Sequence, residues 1–453
     1  MAAVLFIIGI KMLSSPESAV KGNILSAIGM ALAVGATMFT GGISDYTWIM
    51  IGIVAGTLVG VFVSYWVKMT AMPQMVALYN GLGGASSALV ALAEYYRGQD
   101  QASPFIVTVI MLSILVGWVT LTGSLVAYAK LQELISGKPT LFPMQHLLNL
   151  LLVLSALACG VLFVLDPTRE ELMHAVTVIS LLLGVLLVIP IGGADMPVVI
   201  ALLNSYSGIA VSFTGFVLSN NMLIIAGSLV GASGIFLTNE MCKGMHRSIW
   251  NVLFGGFGAG PTGGPGSGEA VEIPGGGSVK PYSVDDAANV LESASLVILV
   301  PGYGMAAAQA QHAVRSLGEA LQTRGVDVKY AIHPVAGRMP GHMNVLLAEA
   351  NVPYDILFDM DQINDEFPTA DVALVIGAND VVNPAANEDP SSPIYGMPIL
   401  NAEKARTVMV LKRSMNPGFA GIENMLFYRD NTMMVFGDAK STLNKMVEAL
   451  KSR

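Results

Sequence analysis

Three short segments carry residues whose types and order suit a dinucleotide. In Val297-Ile298-Leu299-Val300-Pro301-Gly302-Tyr303-Gly304-Met305-Ala306-Ala307, a buried-type strand enters a glycine turn and then a helix. In a dinucleotide fingerprint one glycine makes the tight turn, a second lets backbone approach the pyrophosphate, and a third small residue permits close helix packing. Gly302, Gly304 and Ala307 fit those roles, although glycine turns after strands are common in proteins that bind no nucleotide. Lys412-Arg413-Ser414 follows another strand-like run and offers two cations and a hydroxyl, donors suited to a 2′-phosphate dianion. A solvated surface pair has the same residue types. An NAD site usually places a carboxylate after its second strand; here that strand ends Tyr330-Ala331-Ile332-His333, which favours NADP(H). The third segment, Gly377-Ala378-Asn379-Asp380, places an acid beyond a strand, where Asn-Asp is also a common turn.

The elements that must position these residues alternate in type. Runs at 296–300, 326–332, 355–358, 372–376, 408–411 and 433–436 read as strands, and stretches at 305–324, 341–350 and 438–451 as helices. This predicts a soluble α/β, Rossmann-like domain with a parallel sheet. Ligands of such sheets lie beyond the strands' carboxyl ends, where 333–338, 377–380 and 412–414 all fall.

About 240 residues of another kind precede this domain. The chain is 53% hydrophobic and 12% charged, against about 25% charged in an ordinary soluble protein. Residues 1–247 carry 9 Lys/Arg and 10 Asp/Glu, and the remainder 14 and 22. Nine apolar spans, at about 1–12, 23–41, 48–67, 74–93, 104–129, 142–165, 173–191, 196–218 and 222–239, predict a polytopic α-helical membrane domain of about nine transmembrane helices. The first is short, closed by Lys11, and lacks the basic leader of a signal peptide. Lys11, Lys21, Lys68, Lys130, Lys138, Lys243 and Arg247 fall in odd-numbered loops or after the last span, and only Arg97 and Arg169 in even ones. That bias predicts an outside N-terminus and a cytoplasmic C-terminal domain. The Gly/Pro-rich stretches 255–268 and 274–277 read as a flexible tether. The expected organisation is a membrane domain over 1–250, a linker over 251–280 and an NADP(H)-binding domain over 281–453. The acidic soluble part gives no reason to expect nucleic acid. Two cysteines, Cys159 and Cys242, sit in or beside apolar runs and suggest no disulfide framework, hence a reducing compartment.

The segments Gly302-Tyr303-Gly304-Met305-Ala306-Ala307-Ala308-Gln309-Ala310-Gln311, His333-Pro334-Val335-Ala336-Gly337-Arg338-Met339-Pro340-Gly341-His342-Met343-Asn344, Gly377-Ala378-Asn379-Asp380, Lys412-Arg413-Ser414-Met415-Asn416 and Gly437-Asp438-Ala439-Lys440 together resemble the beta subunit of proton-translocating NAD(P) transhydrogenase. Gly192-Gly193-Ala194-Asp195-Met196-Pro197 and Asn204-Ser205-Tyr206-Ser207-Gly208 extend the resemblance into the membrane part, so it spans nearly the whole chain in order. It implies a Re/Si-specific enzyme of the cell inner membrane. Such an enzyme passes hydride between NAD(H) on a partner alpha subunit and NADP(H) held here while protons cross, as a dimer of alpha-beta units in lipid. By motif it implies nucleotide contacts from Gly302, Tyr303, Gly304, Met305, Ala306, Ala307 and Gln309. Arg338 with His333, Val335, Ala336 and Gly337 would close over the nucleotide, and Lys412, Arg413 and Ser414 would hold the 2′-phosphate. Gly377, Asn379, Gly437, Asp438, Ala439 and Lys440 complete the implied set. The family's cofactor lies reversed relative to ordinary dinucleotide enzymes, so roles are carried by motif and not by the usual orientation. Asp380 is the implied link between nucleotide state and proton state. The family often has Tyr where Phe419 stands, which removes a hydrogen bond expected there.

For the proton path the resemblance points to Asn204, nine residues past Asp195 and so about 13 Å along a helix, near mid-bilayer. Gly208 and Ser212 continue that face and equally suit a small-residue packing seam. Asp195 reads as a cytoplasmic mouth or a helix-start carboxylate, and Ser124 as a weaker path candidate or a hydroxyl bonding its own backbone. Many family members carry histidine where Asn80 stands after Met72-Pro73, and asparagine cannot take up a proton. None of the six histidines, His146, His174, His246, His312, His333 and His342, falls at mid-span. The titrating group is therefore expected either on the alpha partner's membrane helices, the favoured reading, or in a carboxylate with water. A competing class, an NADP(H)-sensing transporter or channel without redox chemistry, would share the spans, tether and fingerprint, but no repeat or intramembrane cation pair supports it. A quinone-reducing dehydrogenase would show flavin or metal-ligand clusters, and no metal is expected.

Overall fold

The computed structural model describes all residues except 14, 40–44, 99–102, 138, 247, 254–278, 419 and 453. The tether sequences at 255–268 and 274–277, together with Lys138, Arg247 and Phe419, thus lie outside the described residues. The chain forms two compact units, Met1–Gly192 with Val198–Thr238, and Gly193–Pro197 with Asn239–Arg453.

The first unit is helical. Its helices are α1 (Ala2–Met12), α2 (Pro16–Phe39), α3 (Thr47–Trp66), α4 (Met72–Arg97), α5 (Pro104–Leu131), α6 (Gln145–Leu165), α7 (Glu170–Val188), α8 (Met196–Val217) and α9 (Asn221–Gly244). Among the described residues, eight helices are long and apolar enough to cross a membrane. Eight of the nine expected spans have that length, and the remaining one, α1, is a shorter apolar helix. Its 11 residues rise about 16 Å, half a hydrocarbon core. Lys11 ends the apolar run, and the chain folds back so that a Cβ on Gly22 would lie 2.7 Å from the Gly9 carbonyl oxygen. Residues 1–12 form the short arm of a helical hairpin.

Membrane helices gain little hydrophobic energy from meeting one another, so close packing by small residues takes over. Between α4 and α5, a Cβ on Gly84 would stand 2.7 Å from both the Gly117 oxygen and Thr120 Cβ. By contrast α3 has no buried residue. Tyr46 and Trp48 mark one end and Tyr65 and Trp66 the other, the aromatic belts of a lipid-facing span. At the end of α5, Lys130 is 3% exposed. Its Nζ donates to the carbonyls of Ile189 (2.6 Å) and Ile191 (2.7 Å) just past α7, replacing water for a buried cation and satisfying two chain-end acceptors.

The second unit contains a six-stranded parallel sheet of order β3-β2-β1-β4-β5-β6. Its strands are β1 (Leu296–Pro301), β2 (Asp327–Ile332), β3 (Leu357–Asp359), β4 (Val372–Ile376), β5 (Thr407–Lys412) and β6 (Thr432–Phe436). This is the two-half order of dinucleotide-binding folds, with the switch point between β1 and β4. Strands covered on both faces read as continuous apolar runs, and all five residues of β4 are buried. The helix expected at 305–324 is two helices, Tyr303–Ala307 and Gln311–Gln322. Gln309 adopts φ +52° between them, and the left-handed residue ends the first helix.

Gly84→Val tests the glycine packing. It is expected to drive α4 from α5 and lower the thermal midpoint of the detergent-solubilised chain by at least about 4 °C, corresponding to roughly 1–3 kcal/mol of overpacking.

Candidate nucleotide-binding and proton-path sites

The site grows from a close backbone approach. Pro301 pairs with Ile376 at the ends of β1 and β4. Beyond them Gly302 N–H donates to the Ile376 oxygen (2.9 Å) and Gly304 N–H to the Gly377 oxygen (2.8 Å). A Cβ on Gly304 would lie 2.6 Å from Gly377 Cα, and Gly377 itself has φ +65°. These glycines are needed because two loops touch through their backbones. The N–H groups of Gly302 and Gly304 are taken up by that contact and that of Gly377 donates to the Leu411 oxygen (3.1 Å), so none points at a phosphate.

The cleft beside this contact is lined by Gly302, Tyr303, Gly304, Val335, Ala336, Gly337, Gly377, Asn379, Asp380, Lys412, Arg413, Ser414, Gly437 and Ala439, all candidates on sequence grounds. Ala308, Ala378 and Asn416, which lie within the matching segments, also line it, as do Pro393, Ile394, Met397, Gly418 and Ala420, which no local motif distinguishes. Other candidates lie elsewhere. Met305 and Ala306 are buried beneath their helix, Ala307 is exposed, and Gln309 forms the helix break. Asp438 caps the last helix by accepting from Ser441 N (3.0 Å), and Lys440 is exposed. Arg338 does not line the cleft but stacks its guanidinium 4.4 Å from the ring centroid of Tyr303, a residue that does.

The charged groups of the cleft are individually anchored. The Asp380 carboxylate accepts from Ala420 N–H at 2.9 Å. Lys412 Nζ donates to the Asn416 oxygen (2.5 Å) and lies 4.6 Å over the Phe427 ring. Burial lowers the Lys412 pKa, against the pull of Asp380, which favours the charged form. Arg413 is exposed and has no acidic partner among the described residues. Asn379 Nδ2 is buried without an acceptor among the described residues, an orphan donor that a ligand oxygen would satisfy. Two cations, a hydroxyl and this donor suit a phosphorylated dinucleotide.

The 333–342 loop is held by two histidines. His333 Nδ1 accepts from Val335 N–H (3.2 Å), so Nε2–H donates to the Pro398 oxygen (2.8 Å). His342 Nδ1 accepts from Arg338 N–H (3.0 Å). Both are 1% exposed. Burial pushes each pKa down to about 4, with the Arg338 charge adding to the effect at His342. Both imidazoles are therefore neutral supports of the loop, and His333 has no free ring nitrogen for a nucleotide.

The family description that matches residues 1–449 is "NAD(P) transhydrogenase beta subunit". Two relatives from Rhodospirillum rubrum, one assigned to the species and one to a strain of it, are each named "NAD(P) transhydrogenase subunit beta". Each is 52% identical over 458 residues, covering 99% of this chain and 97% of the relative. The chain belongs to the NAD(P) transhydrogenase beta-subunit family. It is a membrane protein of an enzyme family whose beta subunit implies an alpha partner. Family membership gives no support to a transporter that only senses nucleotide.

In the membrane unit, α4, α5 and α8 meet where three candidates gather. Asn80, 8% exposed, donates from Nδ2 to the Ile200 oxygen at 3.3 Å, one helical turn before Asn204. A Cβ on Gly81 would lie 3.1 Å from Ser124 Cβ, and one on Gly123 3.2 Å from Leu203 Cδ2. Ser124 Oγ is buried with no hydrogen-bond partner among the described residues, a costly state that a water or ligand would relieve. Gly208 and Ser212 instead form a seam with α9. A Cβ on Gly208 would meet the Gly227 oxygen at 2.9 Å, and Ser212 and Ser228 hydroxyls are 3.1 Å apart. Asp195 ends the 3-10 turn Gly193–Asp195 that leads into Met196.

The histidines make stability pH-dependent in a definite direction. Their folded pKa values, about 4, lie below the unfolded value near 6.5, so the unfolded chain binds protons first as pH falls. Stability is whole above pH 6.5 and declines toward pH 4, by up to about 3 kcal/mol per histidine at about 1.4 kcal/mol per unit. Amide exchange across β1 and β2, corrected for intrinsic rates, should show this fall, and His342→Gln should remove about half of it.

Proposed function

We propose that this chain holds NADP(H) in the cleft beyond β1, β4 and β5 and exchanges hydride with NAD(H) on an alpha subunit, coupled to proton passage through the membrane unit. The supporting observation is the gathering of Lys412, Arg413 and Ser414 with the orphan donor of Asn379 and the anchored Asp380 in one cleft. When bound, NADP(H) supplies the nicotinamide that gives or takes the hydride, and no protein acid or base is needed at the reacting carbons. The residues of this chain bind and orient. Arg413, exposed and unpaired by acid, and Lys412 neutralise the 2′-phosphate; Tyr303, backed by Arg338, forms an apolar wall; the glycine contact of residues 302–304 with 377 fixes the floor. Rigid placement of this kind lowers the barrier through orientation, and exclusion of water protects the transfer.

On this reading the membrane domain covers 1–250 and the NADP(H) domain 281–453, and the enzyme is of the Re/Si-specific type. It lies in lipid as a dimer of alpha-beta units in the cell inner membrane, N-terminus outside and C-terminal domain cytoplasmic, as the charge bias of the loops supports. Asn80, Ser124 and Asn204 line the proton path by ordering water, Asp195 forms its inner mouth, and the titrating group belongs to the alpha partner, because Asn80 has no ionisable side chain.

The test uses proteoliposomes holding this chain with its alpha partner, supplied with NADH and an NADP analogue while internal pH is followed. Transfer that moves protons and ceases without the partner is the expected result; NADP(H) binding without transfer would refute the assignment. Lys412→Met and Arg413→Met should each raise KM for the NADP analogue about 10- to 100-fold, from roughly 1.5–3 kcal/mol per lost charge-assisted bond, with KM for NADH unchanged.

A further inference from the structure

Two fully buried asparagines stand behind the cleft wall. Asn424 is 2% and Asn383 0% exposed. Asn424 Oδ1 accepts from Leu426 N–H at 2.9 Å, capping the 3-10 helix Met425–Tyr428. That bond fixes which way the amide points. Nδ2 must then face Asn379, where it donates to the backbone oxygen (2.9 Å) and to Oδ1 (3.1 Å). Asn379, with φ −138° and ψ −84°, stands directly before the single turn Asp380–Val382. Asn383 ties the same two segments in the opposite sense. Its Nδ2 donates to the Glu423 oxygen (3.0 Å), and its Oδ1 accepts from Ala385 N–H (3.1 Å). The two asparagines bracket the single turn Asp380–Val382.

We propose that Asn424 is a positioning residue for the transhydrogenation reaction: by gripping both acceptors of Asn379 it sets the backbone of the turn that follows and so the placement of the Asp380 carboxylate toward NADP(H). Asn383 is the second tie. This rests on the reading that NADP(H) occupies the cleft. The grip also explains the orphan: with Oδ1 of Asn379 engaged by Asn424, its Nδ2 is turned toward the glycine backbone at Gly418, where an added Cβ would lie 2.8 Å away. A carboxylate in place of Asn424 keeps the shape and the acceptor for Leu426. It replaces the donor with an anionic oxygen facing two oxygens of Asn379, and the grip is lost.

Asn424→Asp, assembled with the alpha partner in proteoliposomes, is expected to raise KM for NADP(H) about tenfold or more and to speed NADPH release. KM for NAD(H) and the first-turnover hydride rate at saturating nucleotide should stay within about twofold. Asn424→Ser, which adds no charge, should show the same split at about a third of the amplitude. A merely structural asparagine would change the amount of assembled enzyme without this split, and that result overturns the proposal. Hydrogen exchange on the unmodified chain tests it independently of variant folding. Amides at 382–383 and 426–427 should be protected even without nucleotide, and rapid exchange there would also overturn it. If the unmodified chain binds no NADP(H), the reading of the cleft fails; if it binds and Asn424→Asp shows no split, this inference fails alone.

Discussion

The second unit depends on how closely two loops approach at the carboxyl ends of β1 and β4. Gly302 and Gly304 donate to Ile376 and Gly377, and any side chain at 304 or 377 would occupy the other's backbone. The contact locks the switch point of the sheet, and everything chemical is placed relative to it: Tyr303 on one side, Asn379 and Asp380 on the other, Lys412 one strand further on. Because its N–H groups are satisfied internally, the contact serves as a floor and supplies no phosphate cradle. Charge complementarity has to come from side chains on β5 and from the donor of Asn379.

The membrane unit meets the opposite problem, since every polar group there needs a partner of its own. Lys130 solves it with two chain-end carbonyls, Ser212 with Ser228, and Asn80 with the Ile200 oxygen. Ser124 has no such partner among the described residues. Ser26, Trp118 and Thr177 also have buried polar atoms without a partner among the described residues, so Ser124 stands out by its place beside Gly81 on α4. Gly208 and Ser212, on the same helix as Asn204, hold helices together.

Much of this was legible in the residues because it rested on period and composition. All six strands and the parallel sheet followed from apolar runs separated by helix patterns, and eight long spans from uninterrupted hydropathy. The failures have physical causes. The span expected at 1–12 is an apolar helix of 11 residues, shorter than the other eight. The expected helix at 305–324 breaks at Gln309, a residue whose left-handed conformation leaves no mark in a one-dimensional pattern. Met305, Ala306 and His333 belong to matching motifs yet point into the core, because a motif names positions and says nothing of which face is buried. Asn383 and Asn424 were invisible: a buried amide joining residues about 40 apart in sequence has no local signature.

Electrostatics then explains why the cleft's cations matter beyond their own bonds. The soluble part of the chain carries 22 acidic residues against 14 basic, so its field opposes the approach of a polyanionic nucleotide at long range. At physiological ionic strength that repulsion is screened within about 8 Å, leaving local charge to decide. Asp380 adds a negative charge in the cleft beside Lys412, so one cation is already partly compensated, while Arg413 is paired with no acid among the described residues. On the proposed reading, the 2′-phosphate dianion would balance the second cation. A nucleotide lacking that phosphate would, on the same reading, leave Arg413 without a partner while the acidic surroundings still repel its diphosphate, so a preference for NADP(H) would arise from an absence of compensation as much as from a bond formed.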